Sequence, residues 1–427
     1  MTQLEIARAG SISPQMEAAA EREQLPPEQL RRALADGLVV LPANPSHHSL
    51  RPSAIGAGLR IKVNANIGAS ASDPSPDQTL ARLRAALAAG ADAVMDLSTA
   101  GDLDQSRRQV VSASPVPVGT VPIYQAAVQA RDRGGLSAMT EDDLFSVIRA
   151  HAADGVDFIT VHCGVTRETA ALALGGSRLA GVVSRGGAFT ICWMRDHDRE
   201  NPLYARFDDL LGICRQHDVT LSLGDGLRPG CLADGSDQAQ LAETALLGDL
   251  VLRARQAGVQ VMVEGPGHLP LDQVAANVIL EKRLCHGAPF YVLGPLVTDI
   301  APGYDHIAGA IGGAVAGMAG ADFLCYLTPA EHLGLPTPEE VTEGVVAARL
   351  AAHAADIVRL GPRARTQDDA MARARASLDW EQQFRLALDP ERARARHQPA
   401  GEGDAACSMC GPYCVFSLLG PPAASRP

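Results

Sequence analysis

Aromatic residues make up only 4% of this 427-residue chain, so its core must be packed from aliphatic side chains and alanine. No block of basic residues occurs and the formal net charge is −12, which argues against nucleic acid as a partner. Long apolar runs are missing too. The longest, IAGAIGGAVAGMAGA from Ile307 to Ala321, is too short to span a bilayer and reads as a tightly packed buried helix. The N-terminal segment MTQLEIARAGSISPQMEAAAEREQ has no signal-peptide apolar region, which points to a cytoplasmic protein without a membrane anchor. No G-x-G-x-x-G follows the first strand candidate, weakening a dinucleotide-binding reading. Disulfides are not expected. Of nine cysteines, Cys163, Cys192, Cys214, Cys231, Cys285 and Cys325 are scattered singly, the pattern of reduced thiols that serve packing.

The other three cysteines, Cys407, Cys410 and Cys414, share the string CSMCGPYC. Three thiolates on a 4Fe–4S cluster leave one iron with an open position, where a substrate or cofactor can bind. The competing reading is a structural zinc site completed by His397 or a remote residue. No second C-x2-C pair exists, so the zinc-ribbon pattern is absent.

Residues 1–55 read as a helical cap ending in a Pro- and His-bearing connector, in which His47 and His48 are expected to be solvated. From Leu59 onward short β-type runs alternate with alanine-rich helical stretches: LRIKVNANIG, DAVMDLS, VPVGTVPI, DFITVHC, AGVVSRGG, TLSLGDG, VQVMVEGPG, PFYVLGP and DFLCYLT. Strands alternating with helices imply a parallel sheet, and about eight such units over about 270 residues fit a (β/α)8 TIM-like barrel, here residues 56–336. Nine candidates for eight strands make one of them irregular or external to the barrel. A doubly wound open sheet is the alternative. Thr337-Pro338-Glu339-Glu340 then starts a helix with a reciprocal cap and Pro at its first position. It is expected to stop at Gly361-Pro362, with a second helix from about Thr366 to Leu388 closing a C-terminal helical segment, 337–398. Residues 399–427 are expected to be a flexible linker, PAGEGDAA, followed by the cysteine tail.

Barrel enzymes place their chemistry at the C-terminal ends of the strands. Here nearly every strand candidate ends in groups that titrate, coordinate or hydrogen-bond: Asn64 and Asn66, Met95 with Asp96 and Ser98, Tyr124, His162, Ser184-Arg185-Gly186-Gly187, Asp225-Gly226-Leu227-Arg228, Glu264 with His268, Tyr291, then His332. Each alone is weak; together, at one place in a repeating unit, they require a shared site. SRGG and DGLRPG pair an arginine with glycines, so guanidinium and backbone N–H groups suit a phosphate, although a tight strand-to-helix turn would need the same glycines. His268 and His332 suit a divalent metal with positions left open, or simple packing.

Taken together, KVNANIG, VMDLST, SPVPVGTVPIYQ, SRGG, SLGDGLRPG, EGPGH, APFY, LGPL, TDIAPGYDHI, TPAEHLGLP and CSMCGP resemble the phosphomethylpyrimidine synthase family of thiamine biosynthesis, radical S-adenosylmethionine lyases, from about Arg60 to Cys414. The resemblance implies a barrel, C-terminal helices and a mobile cluster tail, in a homodimer whose tail reaches the partner's site. It implies substrate contacts at Asn66, Met95, Tyr124, His162, Ser184, Arg185, Gly186, Asp225, Gly226, Leu227, Arg228, Glu264 and Tyr291. Zinc or another divalent metal falls to His268 and His332, and a 4Fe–4S cluster to Cys407, Cys410 and Cys414. The implied reaction converts 5-aminoimidazole ribotide to 4-amino-5-hydroxymethyl-2-methylpyrimidine phosphate, with S-adenosylmethionine and a reduced flavodoxin or ferredoxin as electron donor. Glu264 is implied to shuttle protons or bind the ribose. Two departures stand out: the longer members carry C-x2-C-x4-C where this chain has C-x2-C-x3-C, and their large N-terminal domain has no counterpart. A sister enzyme, 5-hydroxybenzimidazole synthase of anaerobic cobamide biosynthesis, uses the same ribotide and fold and is the alternative.

Overall fold

The computed structural model describes residues 1–401 and 405–420. Ten strands occur among them: β1 (Val39–Val40), β2 (Ile55–Gly56), β3 (Lys62–Ile67), β4 (Ala93–Asp96), β5 (Val118–Thr120), β6 (Phe158–Val161), β7 (Thr220–Leu223), β8 (Val261–Gly265), β9 (Phe290–Leu293) and β10 (Phe323–Cys325). From β3 to β10 every neighbour is parallel and β10 returns to β3, closing an eight-stranded barrel. The strands are covered by helices outside and filled by side chains inside. That is why they read as apolar runs with buried residues on both faces. The register sets Asn66 opposite Met95, Glu264 opposite Tyr291 and Cys325 opposite Asn64, so the polar strand ends reach one mouth.

AGVVSRGG is the irregular candidate. Gly181 takes φ +67°, Val183 is 43% exposed, and β6 pairs directly with β7, leaving that run no place in the sheet. Ser184 instead caps the helix Arg185–His197.

The N-terminal helices Gln3–Arg8, Pro14–Arg22 and Pro27–Ala35 enclose a small core of Met16, Leu30, Leu34 and Leu41. They are tied to residues at or just before the strand starts, which is the end opposite the mouth. Glu23 pairs with buried Lys62 at 2.8 Å, Asp218 accepts from the Gln3 amide at 2.9 Å, and the Leu41 amide donates to Gln260 at 2.6 Å. His47 is not solvated. It is buried, with Nδ1 2.7 Å from Asp157 and Nε2 2.9 Å from the Ser114 carbonyl. The connector needs a polar partner for the Asp157 carboxylate, which also accepts the Asn44 and Val118 amides, and burying that carboxylate unpaired would be expensive.

The Thr337 hydroxyl accepts the Glu340 amide at 3.2 Å and the Glu340 carboxylate accepts the Thr337 amide at 2.8 Å, and their helix runs Pro338–Leu360. The chain forms two compact units, Met1–Ala355 and Asp356 onward. In the second, the expected long helix is broken: Pro362–Ala376 and Trp380–Leu386 are separated at Leu378, whose φ is +54°. The helix Pro390–Arg396 follows. PAGEGDAA is no free linker at its ends, because Ala400 donates to Ala406 at 3.0 Å and Pro399 pairs with Cys407. Its Glu402, Gly403 and Asp404 lie outside the described residues, as does the chain beyond Gly420. Among the described residues no helix is long and apolar enough to cross a membrane.

Candidate active site

On β3, Val63, Ala65 and Ile67 join the core between barrel and helices, while Asn64 and Asn66, at alternate positions, meet inside the barrel. Asn64 Nδ2 donates to Asn66 Oδ1 at 2.9 Å and to the Tyr291 hydroxyl at 2.7 Å. Asn66 Nδ2 reaches Cys325 Sγ at 3.2 Å. Across the barrel, Thr160 and Ser222 hydroxyls donate to one oxygen of Glu264 at 2.7 and 2.8 Å. Arg228 donates to Asp225 Oδ1 at 3.1 Å. All of these groups except Asn64 and Ser222, which stand behind them, line with Met95, Tyr124 and His162 a hollow of about 80 Å³ at the mouth. A second hollow of about 190 Å³ shares Asn66 and Leu97 with it and is lined by Arg185, whose guanidinium lies 5.0 Å from the Tyr124 ring centroid.

Burial dominates the electrostatics. It pushes the Asp225 carboxyl up to about 8, the Arg228 guanidinium opposing and the Glu264 charge reinforcing it. Burial also raises Glu264, against the two hydroxyl bonds that favour its ionised form. Burial, then Arg228, drives the His162 imidazole down to about 3, so it is neutral at pH 7. Asp225 Oδ2, His162 Nδ1 and Asn64 Oδ1 are buried and, among the described residues, have no hydrogen-bond partner. Unpaired buried polar atoms cost about 1–3 kcal/mol each; those of Asp225 and His162 line the hollow and suit it to a polar ligand, while Asn64 lies behind its wall against Asn66 and Tyr291.

Ser184, Gly186, Gly226 and Leu227 stand behind this surface. The Ser184 hydroxyl accepts the Gly187 amide at 3.1 Å. A Cβ on Gly186 would lie 2.0 Å from His162 Cε1, so that glycine lets the imidazole sit against the helix. The amides of Gly226 and Leu227 donate to Glu243 at 2.9 and 2.8 Å. They are therefore spent, and the Leu227 side chain is in the core. DGLR therefore leaves only the Arg228 guanidinium to suit an anion, while on the other turn Arg185 stands at the start of a helix whose first amides, apart from that of Gly187, have no intrahelical acceptor.

Glu243, Thr160, Ser222 and Cys325 were not singled out from the sequence. Thr160 and Ser222 lie two residues before His162 and Gly224, so the two-residue period of an inward strand face carries their signal. Cys325 is not mere packing, since its thiol lines the hollow, pushed up to about 12 mainly by burial. Nothing in the sequence marks Glu243, which lies within the helix Gln238–Gln256.

His268 and His332 come together with ring centroids 5.4 Å apart. His268 Nδ1 is 2.8 Å from Asp299, and His332 Nδ1 is 3.1 Å from Asp305. A carboxylate on Nδ1 fixes each ring and leaves Nε2 for a metal, the usual outer-sphere arrangement, so the pair fits a divalent ion with open positions. Among the described residues no group of three or more His, Cys, Asp or Glu is gathered around one point.

In the second unit Gly411, with φ +49°, opens a tight turn over Gly411–Tyr413, which absorbs the short Cys410-to-Cys414 spacing. Backbone amides of Cys410 and Met409 directed at the Cys407 sulfur lower its pKa, and the Ser417 amide does the same for Cys414. No cysteine is in a disulfide. Thiols in a turn that aims amides at sulfur fit cluster ligation.

Residues 2–420 match the radical SAM ThiC family. The chain is 60% identical over 422 residues to the phosphomethylpyrimidine synthase of Moorella thermoacetica, and 58% identical over 421 residues to that of Desulforamulus reducens, covering 98% of each chain in both cases. A dihydropteroate synthase structure from Xanthomonas albilineans aligns with TM-score 0.44 and 14% identity, over 76% of this chain and 100% of that one.

Proposed function

This chain belongs to the radical SAM ThiC family, and from that premise we propose that it converts 5-aminoimidazole ribotide to 4-amino-5-hydroxymethyl-2-methylpyrimidine phosphate, formate and carbon monoxide. The observation that carries the reading is the mouth hollow, where Asp225 and His162 each offer a buried polar atom without a partner among the described residues. A ribotide, with ring nitrogens, an amine and ribose hydroxyls, supplies matching groups.

Arg185 and Arg228 provide the cationic charge that a phosphate needs within a chain of net charge −12. Burial holds His162 neutral, so it accepts or donates one hydrogen bond without adding charge beside them. Glu264 keeps one oxygen on Thr160 and Ser222, which fixes its plane and leaves the other for a substrate hydroxyl or a proton in transit. Burial raises both Asp225 and Glu264, and the Glu264 charge adds to the rise at Asp225, so protonation of either is favoured over two buried charges. The barrel walls exclude water from reactive intermediates.

Cys407, Cys410 and Cys414 would hold a 4Fe–4S cluster. Bound there, it would supply the electron for reductive cleavage of S-adenosylmethionine. His268 and His332 would hold zinc or another divalent ion. The working enzyme is read as a cytoplasmic homodimer reduced by a flavodoxin- or ferredoxin-type donor. Anaerobic incubation of reconstituted protein with ribotide, S-adenosylmethionine and reductant, followed by mass analysis, tests the proposal. Pyrimidine phosphate is expected, and Cys410→Ala is expected to form neither it nor 5′-deoxyadenosine. Hydroxybenzimidazole would move the chain to the sister reaction, and absence of 5′-deoxyadenosine in the wild type would overturn both.

A further inference from the structure

The second unit contains a cavity of about 390 Å³ whose wall includes Trp380, Phe384, His397, Cys407 and Met409. His397 ends the helix Pro390–Arg396, its amide donating to Ala393 and Arg394 at 3.1 and 3.2 Å. Its ring is clamped, 4.0 Å centroid to centroid from Trp380 and 5.5 Å from Phe384. Yet Nε2 of that ring is buried and, among the described residues, has no hydrogen-bond partner. The loss is about 1–3 kcal/mol, and a clamped ring cannot rotate away to recover it.

The backbone says where a partner comes from. Immediately after His397, the Gln398 carbonyl accepts the Ser408 amide at 2.8 Å, Pro399 pairs with Cys407, and Ala400 donates to Ala406. The clamp is joined to the same segment, because Trp380 Nε1 donates to the Ala405 carbonyl at 2.8 Å. The segment carrying His397 is thus stitched rung by rung to the segment carrying the first cluster cysteine, and both side chains face one cavity. Cys407 is the wall group that becomes an anion when the cluster is bound, and a histidine N–H is its natural complement.

We propose that His397 is a positioning residue for the cluster: its Nε2–H donates to the Cys407 thiolate, or to the sulfide next to it, and sets how readily the cluster accepts its electron. The inference rests on the family reading only in requiring that a cluster binds. Hydrogen bonds to cluster sulfurs stabilise the more negative, reduced state.

The test uses the full chain reconstituted anaerobically. His397→Phe keeps an aromatic ring between Trp380 and Phe384 but removes the donor. At a fixed potential its reduced-to-oxidised ratio is expected to fall about tenfold, equivalent to ~59 mV for one electron, with iron content unchanged. His397→Gln, which restores a donor, is expected to recover part of that loss. In unmodified protein carrying 15N-histidine, pulsed paramagnetic resonance of the reduced cluster is expected to show a weak nitrogen coupling through the hydrogen bond. An unchanged ratio in a loaded Phe variant overturns the proposal. So does the absence of any histidine coupling in the wild type, a readout that needs no variant to fold. A strong, directly bonded coupling, with S-adenosylmethionine unable to alter the signal, would also overturn it by making His397 the fourth ligand. A wild type that takes up no iron would instead overturn the family reading.

Discussion

Replacing Gly187 with alanine sets two effects of opposite sign against each other, and the structure decides which wins. Gly187 is the third residue of the helix Arg185–His197 and does not have positive φ, so alanine meets no backbone strain. On propensity alone the change stabilises by at most about 1 kcal/mol. However, a Cβ there would lie 2.2 Å from the Gly226 carbonyl oxygen, a backbone atom that cannot swing aside. Relief requires moving the helix start away from the Asp225–Arg228 turn. Overpacking of this kind costs about 1–3 kcal/mol, and loss of the Ser184 cap bond to Gly187 adds about 1 kcal/mol. The net expectation is destabilisation by about 1–3 kcal/mol, together with at least roughly tenfold weaker ribotide binding, because Arg185 moves with the helix. Gly212 is the control. It lies within the helix Phe207–His217 and nothing approaches its would-be Cβ within 4 Å, so Gly212→Ala is expected to stabilise by about 0.5–1 kcal/mol. Trp193, buried in the same helix as Gly187, reports unfolding by fluorescence once Trp380, the other of two tryptophans, is replaced by phenylalanine. Denaturant midpoints that shift in the same direction for both alanine variants would refute the reasoning.

Glu264→Gln keeps an oxygen to accept the Thr160 and Ser222 hydroxyls, so stability is expected to change by less than about 1 kcal/mol while turnover falls about 10²–10⁴-fold; equal turnover would remove Glu264 from proton transfer. Asp218 is pushed up to about 7 by burial, from 3.8. The folded state therefore keeps a proton that the unfolded chain releases, and the contribution of Asp218 to stability declines as pH rises from about 4 to about 7, then levels. Asp218→Asn, which suits that residue's φ of +51°, should gain stability relative to wild type across that window, and a flat difference in denaturation midpoints would contradict the linkage. Asp299→Asn weakens the carboxylate on His268 Nδ1. Divalent-ion affinity measured by calorimetry on cysteine-alkylated protein is expected to drop about 10–100-fold, whereas an unchanged affinity would place the ion elsewhere.

Legibility from sequence followed the physical period of each signal. Barrel strands repeat apolar residues and then end in polar ones, so Asn66, His162, Glu264 and Tyr291 could be found from position alone, and they line one hollow. AGVVSRGG misled because two valines beside glycine look like a strand, whereas strand status depends on a neighbour, and β6 and β7 already pair. Glycine-rich turns misled differently. The amides of Gly226 and Leu227 were free in one dimension, but a helical carboxylate from Glu243, 17 and 16 residues onward, takes both. Partners at such separations carry no local pattern, and the same holds for His47 with Asp157, 110 residues apart. Sequence therefore shows which groups can do chemistry, and tertiary contacts decide which are still available to do it. At the mouth Asp225 and His162 remain available. In the second unit the same test, a buried polar atom that no protein group satisfies, singles out the His397 nitrogen beside Cys407.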